Sequence, residues 1–261
     1  MQQLSGKVAV VTGAGSGIGR ALAQRLAEEG MQVVGADIAA GTADEQVDVS
    51  DAASVAALAD RVFERFGSVD VLCNNAGVFV GGYLWDRPAG DLDFVLGVNL
   101  RGILNGIAAF VPRMDAQGTE GHIVNTVSVS GLFGSPYSGP YTISKFAALA
   151  ATEVLALDLA TVGSRLRVSA LCPGIIATNI AEAARSRLDE TGATDDQRFV
   201  SDVLAESVPG GMDPAEVAGC VVDGIRAERF LILTHDRFRK DLATRADALV
   251  AGELPAYPDF I

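Results

Sequence analysis

The sequence predicts a doubly wound α/β fold, a single domain built on a parallel sheet of seven strands with helices on both faces. Three observations carry that expectation. Short β-branched runs alternate along the chain with longer stretches of helical periodicity. Most of those runs are continuously apolar rather than alternating, the pattern of strands covered on both faces of a parallel sheet. The chain has 261 residues, 49% hydrophobic and 20% charged, enough for one large core, and no repeat, low-complexity tract or linker divides it.

Each element follows in order. Val8–Thr12 is the first strand and runs into a glycine-rich turn that opens a helix. Gln32–Asp37 is the second strand and residues 46–49 the third. Ser50 is placed to cap a helix whose Val55, Leu58, Ala59, Val62, Phe63 and Phe66 form one apolar stripe before Gly67 ends it. Residues 69–73 give the fourth strand, 122–127 the fifth and 166–171 the sixth, with long helices at 91–114 and 141–162 between them. Asp213 caps and Pro214 begins a helix over Pro214–Arg226, and residues 230–234 complete the sheet. Right-handed crossovers join the parallel strands. Residues 179–212 break the rhythm: seven acids, three arginines and no long periodic stripe read as a loop-like substrate lid, mobile until a ligand orders it.

Charge and cysteine usage exclude several classes. The formal charge of −13 lacks the basic excess of a nucleic-acid or anionic-membrane binder. No eighteen consecutive residues are apolar, and the polar N-terminus lacks the order of a signal peptide. Cys73, Cys172 and Cys220 stand far apart and form no C-x-x-C pair, so a soluble cytoplasmic protein with reduced thiols is expected. No cysteine–histidine cluster offers a ligand set, and no metal is expected in the chemistry.

The first strand ends in TGAGSGIGRAL. A loop there leads into a helix N-terminus, whose unpaired N–H groups and dipole attract phosphate if side chains leave room. The spacing is T-G-x-x-x-G-x-G, with Gly13, Gly17 and Gly19; it is neither G-x-G-x-x-G nor a GxxxxGK[ST] loop, which argues against a nucleotide triphosphatase. Asp37, at the end of the second strand, is placed to accept hydrogen bonds from an adenosine ribose.

Four further motifs follow: Asn74-Asn75-Ala76-Gly77 after the fourth strand, Ser128 after the fifth, Tyr141-x-x-x-Lys145, and Pro173-Gly174 after the sixth. Together with the glycine loop they resemble, in order and spacing and over nearly the whole chain, the short-chain dehydrogenase/reductase family. The resemblance implies a Rossmann-type fold, NAD as cofactor, and a homodimer or homotetramer, for which the apolar segment 254–261 could dock on a neighbour. It implies catalytic roles for Asn99, Ser128, Tyr141 and Lys145: proton relay, substrate orientation, acid–base chemistry and ribose binding with support of the tyrosine. It places Gly13, Ser16, Gly17, Ile18, Gly19 and Asp37 at the cofactor, with Asp48 and Val49 at adenine. Asn75, Ala76 and Gly77 fall near the ribose, Tyr141 and Lys145 along it, and Pro173, Gly174, Ile176 and Thr178 near the carboxamide and phosphates.

Physical chemistry supports the pair independently. Tyr141 and Lys145, four apart, share one helical face. A phenol with pKa near ~10 must be favoured by about 3 to 4 kcal/mol to act as a base near neutrality, and an ammonium ~5 Å away supplies about 3 kcal/mol at an effective dielectric near 20. The reaction that the resemblance implies is interconversion of a secondary alcohol and a ketone. Leu132, Phe133, Tyr137, Val80, Tyr83 and Trp85 are candidates for an apolar substrate wall, and Arg185, Arg187 and Arg198 for a solvated face. With no basic residue seen beside Asp37, NAD is preferred over NADP. Hydrolysis by Ser128 lacks G-x-S-x-G, and a methyltransferase leaves the Tyr–Lys pair unexplained. A nucleotide-sensing protein on the same fold is the alternative, and it has no need of Ser128, Tyr141 and Lys145 together.

Overall fold

Apolar runs become strands and periodic stretches become helices along the chain, whose structure, a computed structural model, describes residues 1–258. In order these are β1 (Val8–Thr12), α1 (Gly17–Glu28), β2 (Gln32–Asp37), β3 (Glu45–Gln46), α2 (Ala52–Phe66), β4 (Val71–Asn74), α3 (Ala89–Leu96), α4 (Gly102–Ala116), β5 (Gly121–Thr126), α5 (Gly139–Thr161), β6 (Leu166–Cys172), α6 (Ile180–Thr191), α7 (Asp195–Ser207), α8 (Pro214–Arg226), β7 (Leu231–Leu233) and α9 (Arg237–Val250). Seven strands pair in parallel in the order β3-β2-β1-β4-β5-β6-β7. The chain thus winds outward in both directions from β1 and β4, and a crevice opens at that switch point beyond the strand C-termini.

Both faces of the sheet are covered, as continuous apolar strands require. In β1, Ala9 and Val11 pack on one side with Leu22 and Leu26 of α1 and with Val217, Val221 and Ile225 of α8. Val8 and Val10 pack on the other with Leu58 and Val62 of α2 and Phe110 and Met114 of α4. A third cluster joins Phe133, Ala148 and Phe238 beneath β6 and β7.

Four local expectations are corrected. Asp51, not Ser50, caps α2, its carboxylate accepting the Ala53 N–H at 2.9 Å. Ser50 instead donates to Asp48 Oδ1 at 2.7 Å, in an Asx turn that ends the third strand early, so β3 spans two residues where four were expected. The long helix expected at 91–114 is two helices joined by a π-turn over Gly97–Arg101. The stretch Ala89–Ala116 has the length and mean hydropathy, 1.6, of a membrane-crossing helix, but its Ile103, Phe110 and Met114 are buried within the protein's own core.

The fourth correction concerns residues 179–212, which are largely helical. Phe199, Val200, Val203 and Leu204 form a short stripe at i, i+1, i+4 and i+5, and Thr194 and Gln197 make a capping box, Gln197 Oε1 accepting the Thr194 N–H at 3.2 Å. The excursion leaves and returns at one place, because Met212 N–H donates to Ile175 O and Ala177 N–H to Met212 O, both at 3.0 Å. At the C-terminus Leu254 and Tyr257 are exposed, and residues 259–261 of the expected docking tail lie outside the described residues.

Candidate active site

The glycine loop owes its shape to sterics. A Cβ on Gly19 would lie 2.0 Å from Gly13 O, one on Gly13 2.8 Å from Ala76 Cα, and Gly13 and Gly17 have φ of +66° and +49°. Ser16 stands at the N-cap of α1 with its hydroxyl uncommitted to the helix, so the first-turn N–H groups face the crevice. Thr12, unassigned in the sequence, pins the loop to the next strand: its Oγ1 accepts the Asn75 and Ala76 N–H groups at 3.0 and 3.1 Å. Asn75 Nδ2 donates to Thr12 O at 3.1 Å, and Thr126 Oγ1 donates to Asn75 Oδ1 at the same distance. The strong T-G signal in the motif could have identified this threonine.

Asp37 accepts the Gly15 N–H at 2.8 Å through one oxygen and the Ala39 N–H at 3.0 Å through the other, leaving lone pairs toward the crevice. Arg20, on the first turn of α1, folds back and donates to Gly15 O.

Ser128, Tyr141 and Lys145 converge at the inner end. Ser128 leaves β5 with φ +105°, a region non-glycine residues avoid, and its Oγ accepts the Ser130 N–H at 3.2 Å. Lys145 is buried, its Nζ donating to Thr126 O at 3.0 Å and lying 5.6 Å from the centre of the Tyr141 ring. Burial lowers its pKa from 10.5 to about 8. Burial raises the Tyr141 pKa above its ordinary 10, and hydrogen bonding with Ser128 opposes that rise. Burial thus works against the lysine-lowered tyrosinate expected from the spacing.

Asn99 sits in the π-turn with no exposure. Its Oδ1 accepts the Val78 N–H at 2.8 Å, and its Nδ2 donates to Val78 O and Ser144 Oγ, both at 2.9 Å. The π-turn widens the helix at this residue, a distortion frequent at functional sites. Asn99 Oδ1 and Lys145 Nζ lie 3.4 and 3.5 Å from where a Gly77 Cβ would stand.

These residues share one cleft of about 910 Å³ that runs from Asp37, Asp48 and Val49 past Ser16, Gly17, Ile18, Asn75, Ala76 and Gly77 to Ser128, Tyr141, Lys145, Pro173, Gly174, Ile176 and Thr178. Gly19 and Asn99 stand behind its wall. The apolar end differs from expectation: of the six proposed wall residues only Tyr137 lines the cleft. Leu132, Phe133 and Val80 are buried, and Tyr83 stacks on an exposed Trp85 at 4.5 Å. The wall is instead supplied by Phe79, Phe94 and the α7 stripe. Arg185 pairs with Asp202 at 2.8 Å and Arg187 with Asp91 at 3.1 Å, while Arg198 donates to Ala193 O.

A family model described as short chain dehydrogenase matches residues 7–189. The chain is similar to the 1-deoxy-11-beta-hydroxypentalenate dehydrogenase of Streptomyces avermitilis, 36% identical over 249 residues that cover 89% of this chain and 86% of that protein. It is also similar to the 2-(R)-hydroxypropyl-CoM dehydrogenase of Xanthobacter autotrophicus, 39% identical over 195 residues, 67% of this chain and 77% of the other. Among solved structures, a short chain dehydrogenase/reductase of Burkholderia phymatum in complex with NAD matches with a TM-score of 0.94 at 39% identity, over 99% of both chains.

Proposed function

The chain belongs to the short-chain dehydrogenase family of oxidoreductases, and from that premise we propose that it interconverts a secondary alcohol and a ketone, with NAD as the cofactor and Tyr141 as the acid–base group. The observation that carries this reading is the meeting of Ser128, Tyr141 and Lys145 at one end of a cleft whose other end is a side-chain-free helix N-terminus. The glycine cradle fits a pyrophosphate and the paired oxygens of Asp37 fit ribose hydroxyls. NAD, when bound, supplies the acceptor or donor of the hydride.

The chain's own residues hold the substrate and move the proton. Ser128, aimed by its strained backbone, hydrogen-bonds the substrate oxygen. Tyr141, whose pKa burial raises, gives its proton to that oxygen in the reduction direction, and its tyrosinate form takes the alcohol proton in oxidation. Lys145 has one N–H on Thr126 and two more available for ribose hydroxyls. Asn99 fixes Val78 and Ser144, and the space left by the missing Gly77 side chain gives a water room to link its Oδ1 with Lys145. Residues 179–212 act as the lid, and the three free thiols suit a cytoplasmic setting.

The test is a panel of secondary alcohols and ketones followed by NADH absorbance. Turnover with NADH, faster than with NADPH, is expected; a chain that binds NADH and turns over none of the panel would be a sensor rather than an enzyme.

A further inference from the structure

Beyond the reacting end, the cleft continues between the aromatic side chains of Phe79, Phe94, Tyr137 and Phe199 and the aliphatic ones of Val203 and Leu204. Among the described residues, its acidic and basic lining residues are Asp37, Asp48 and Lys145, all at the cofactor and proton-transfer end. The neighbouring arginines are engaged elsewhere: Arg87 pairs with Asp196 at 3.1 Å, and Arg187, paired with Asp91, lies 3.9 Å over the Phe94 ring. A carboxylate or phosphate entering this end would be desolvated without a partner.

The rings there form a ladder. Tyr83 lies 4.8 Å from Tyr137, and Tyr137 lies 5.2 Å from Phe199, centre to centre. Tyr137 is held at φ +60°, an outlier for a bulky residue, by the Gly82 N–H on its carbonyl at 2.6 Å and by the Tyr83 hydroxyl on its own at 3.1 Å. Such strain persists where the surroundings fix it, and here it fixes a ring at the mouth of the site. Phe199 is 55% exposed, a large apolar surface left facing the cleft.

We propose that the substrate is an uncharged secondary alcohol, or its ketone, bearing an aromatic ring that packs on Tyr137 and Phe199 while its oxygen reaches Tyr141. This rests on the oxidoreductase reading above. In reduction, the hydride of NADH forms the new C–H bond at the carbonyl carbon, the carbonyl π pair takes the Tyr141 proton, and NADH leaves as NAD.

The experiment measures NADH oxidation by the full chain with acetophenone, 4-acetylbenzoate and butanone. Acetophenone should exceed each of the others in kcat/KM by about tenfold or more. Phe199→Ala should raise the KM for acetophenone by about tenfold, more than it alters kcat, and lower the acetophenone-to-butanone ratio. Val203→Arg should raise 4-acetylbenzoate relative to acetophenone. Equal use of the carboxylate or of butanone by the wild type, or ratios that neither variant moves, would overturn the substrate class. No NADH oxidation with any carbonyl would overturn the reaction itself and the substrate class with it, so the two failures are distinct.

Discussion

At Lys145 the chemistry and the stability of the fold oppose one another. A lysine whose pKa falls from 10.5 to about 8 on folding costs about 3 kcal/mol at pH 7, where both states are protonated. Between pH 8 and 10.5 the unfolded chain binds the extra proton, so stability rises with pH across that window. Lys145→Met should therefore gain denaturant resistance relative to wild type at pH 7 and lose that advantage by pH 10, while binding NADH more weakly; an unchanged difference across pH would contradict the buried ammonium. Asp37 is the residue proposed to set the cofactor preference. A carboxylate about 4 Å from a 2′-phosphate costs about 1 to 4 kcal/mol, a preference for NAD of about severalfold to several hundredfold. Asp37→Ser with Ile38→Arg should narrow or reverse the ratio of NADH to NADPH affinity, as read by fluorescence titration. Ser128, Tyr141 and Lys145 were legible in the sequence because their spacing is local. The Arg20 contact and the positive φ of Ser128 and Tyr137 were not, since each arises from chain folded back on itself.

At the scale of elements, ion pairs fasten the α6–α7 excursion rather than leaving it loose. Asp196, at the start of α7, accepts from Arg87 at 3.1 Å and from the Tyr83 N–H at 2.6 Å, and Asp91 of α3 accepts from Arg187 and from Gln197 Nε2, both at 3.1 Å. Removing one partner strands a nearly buried charge. Arg87→Ala should speed hydrogen exchange across α7 by about tenfold or more and raise substrate KM, and exchange no faster than wild type would show the latch to be idle. The strands were legible because a sheet covered on both faces needs continuous apolar runs. The α6–α7 excursion was not, because a four-residue stripe among seven acids is too short a period to stand out.

At the scale of the whole molecule, pH and assembly can be argued from buried and exposed surfaces. His122 at the start of β5 is fully buried, its Nε2 bonded to Ser169 Oγ at 2.7 Å and its Nδ1 without a hydrogen-bond partner. Burial lowers its pKa from 6.5 to about 4, so as pH falls through that interval the unfolded chain gains a proton that the folded chain refuses. Stability should fall by about 3 kcal/mol from this residue, and His122→Asn should flatten that part of the acid limb in urea melts. On α5, Ile143, Val154 and Leu157 are exposed on one side of the helix, an apolar surface suited to a second subunit. Light scattering at micromolar concentration should give a dimer or tetramer, and a monomer would contradict it.

Tyr141→Phe tests the central claim, proton transfer by Tyr141 in an NAD-linked site, most directly. The substitution keeps the ring against Phe79, 5.1 Å away, and removes one oxygen. NADH titration and carbonyl-dependent NADH oxidation are measured on the same preparation. The account predicts affinity within a few fold of wild type and turnover lower by about 10² to 10⁴. Near-normal turnover with intact NADH binding would contradict it.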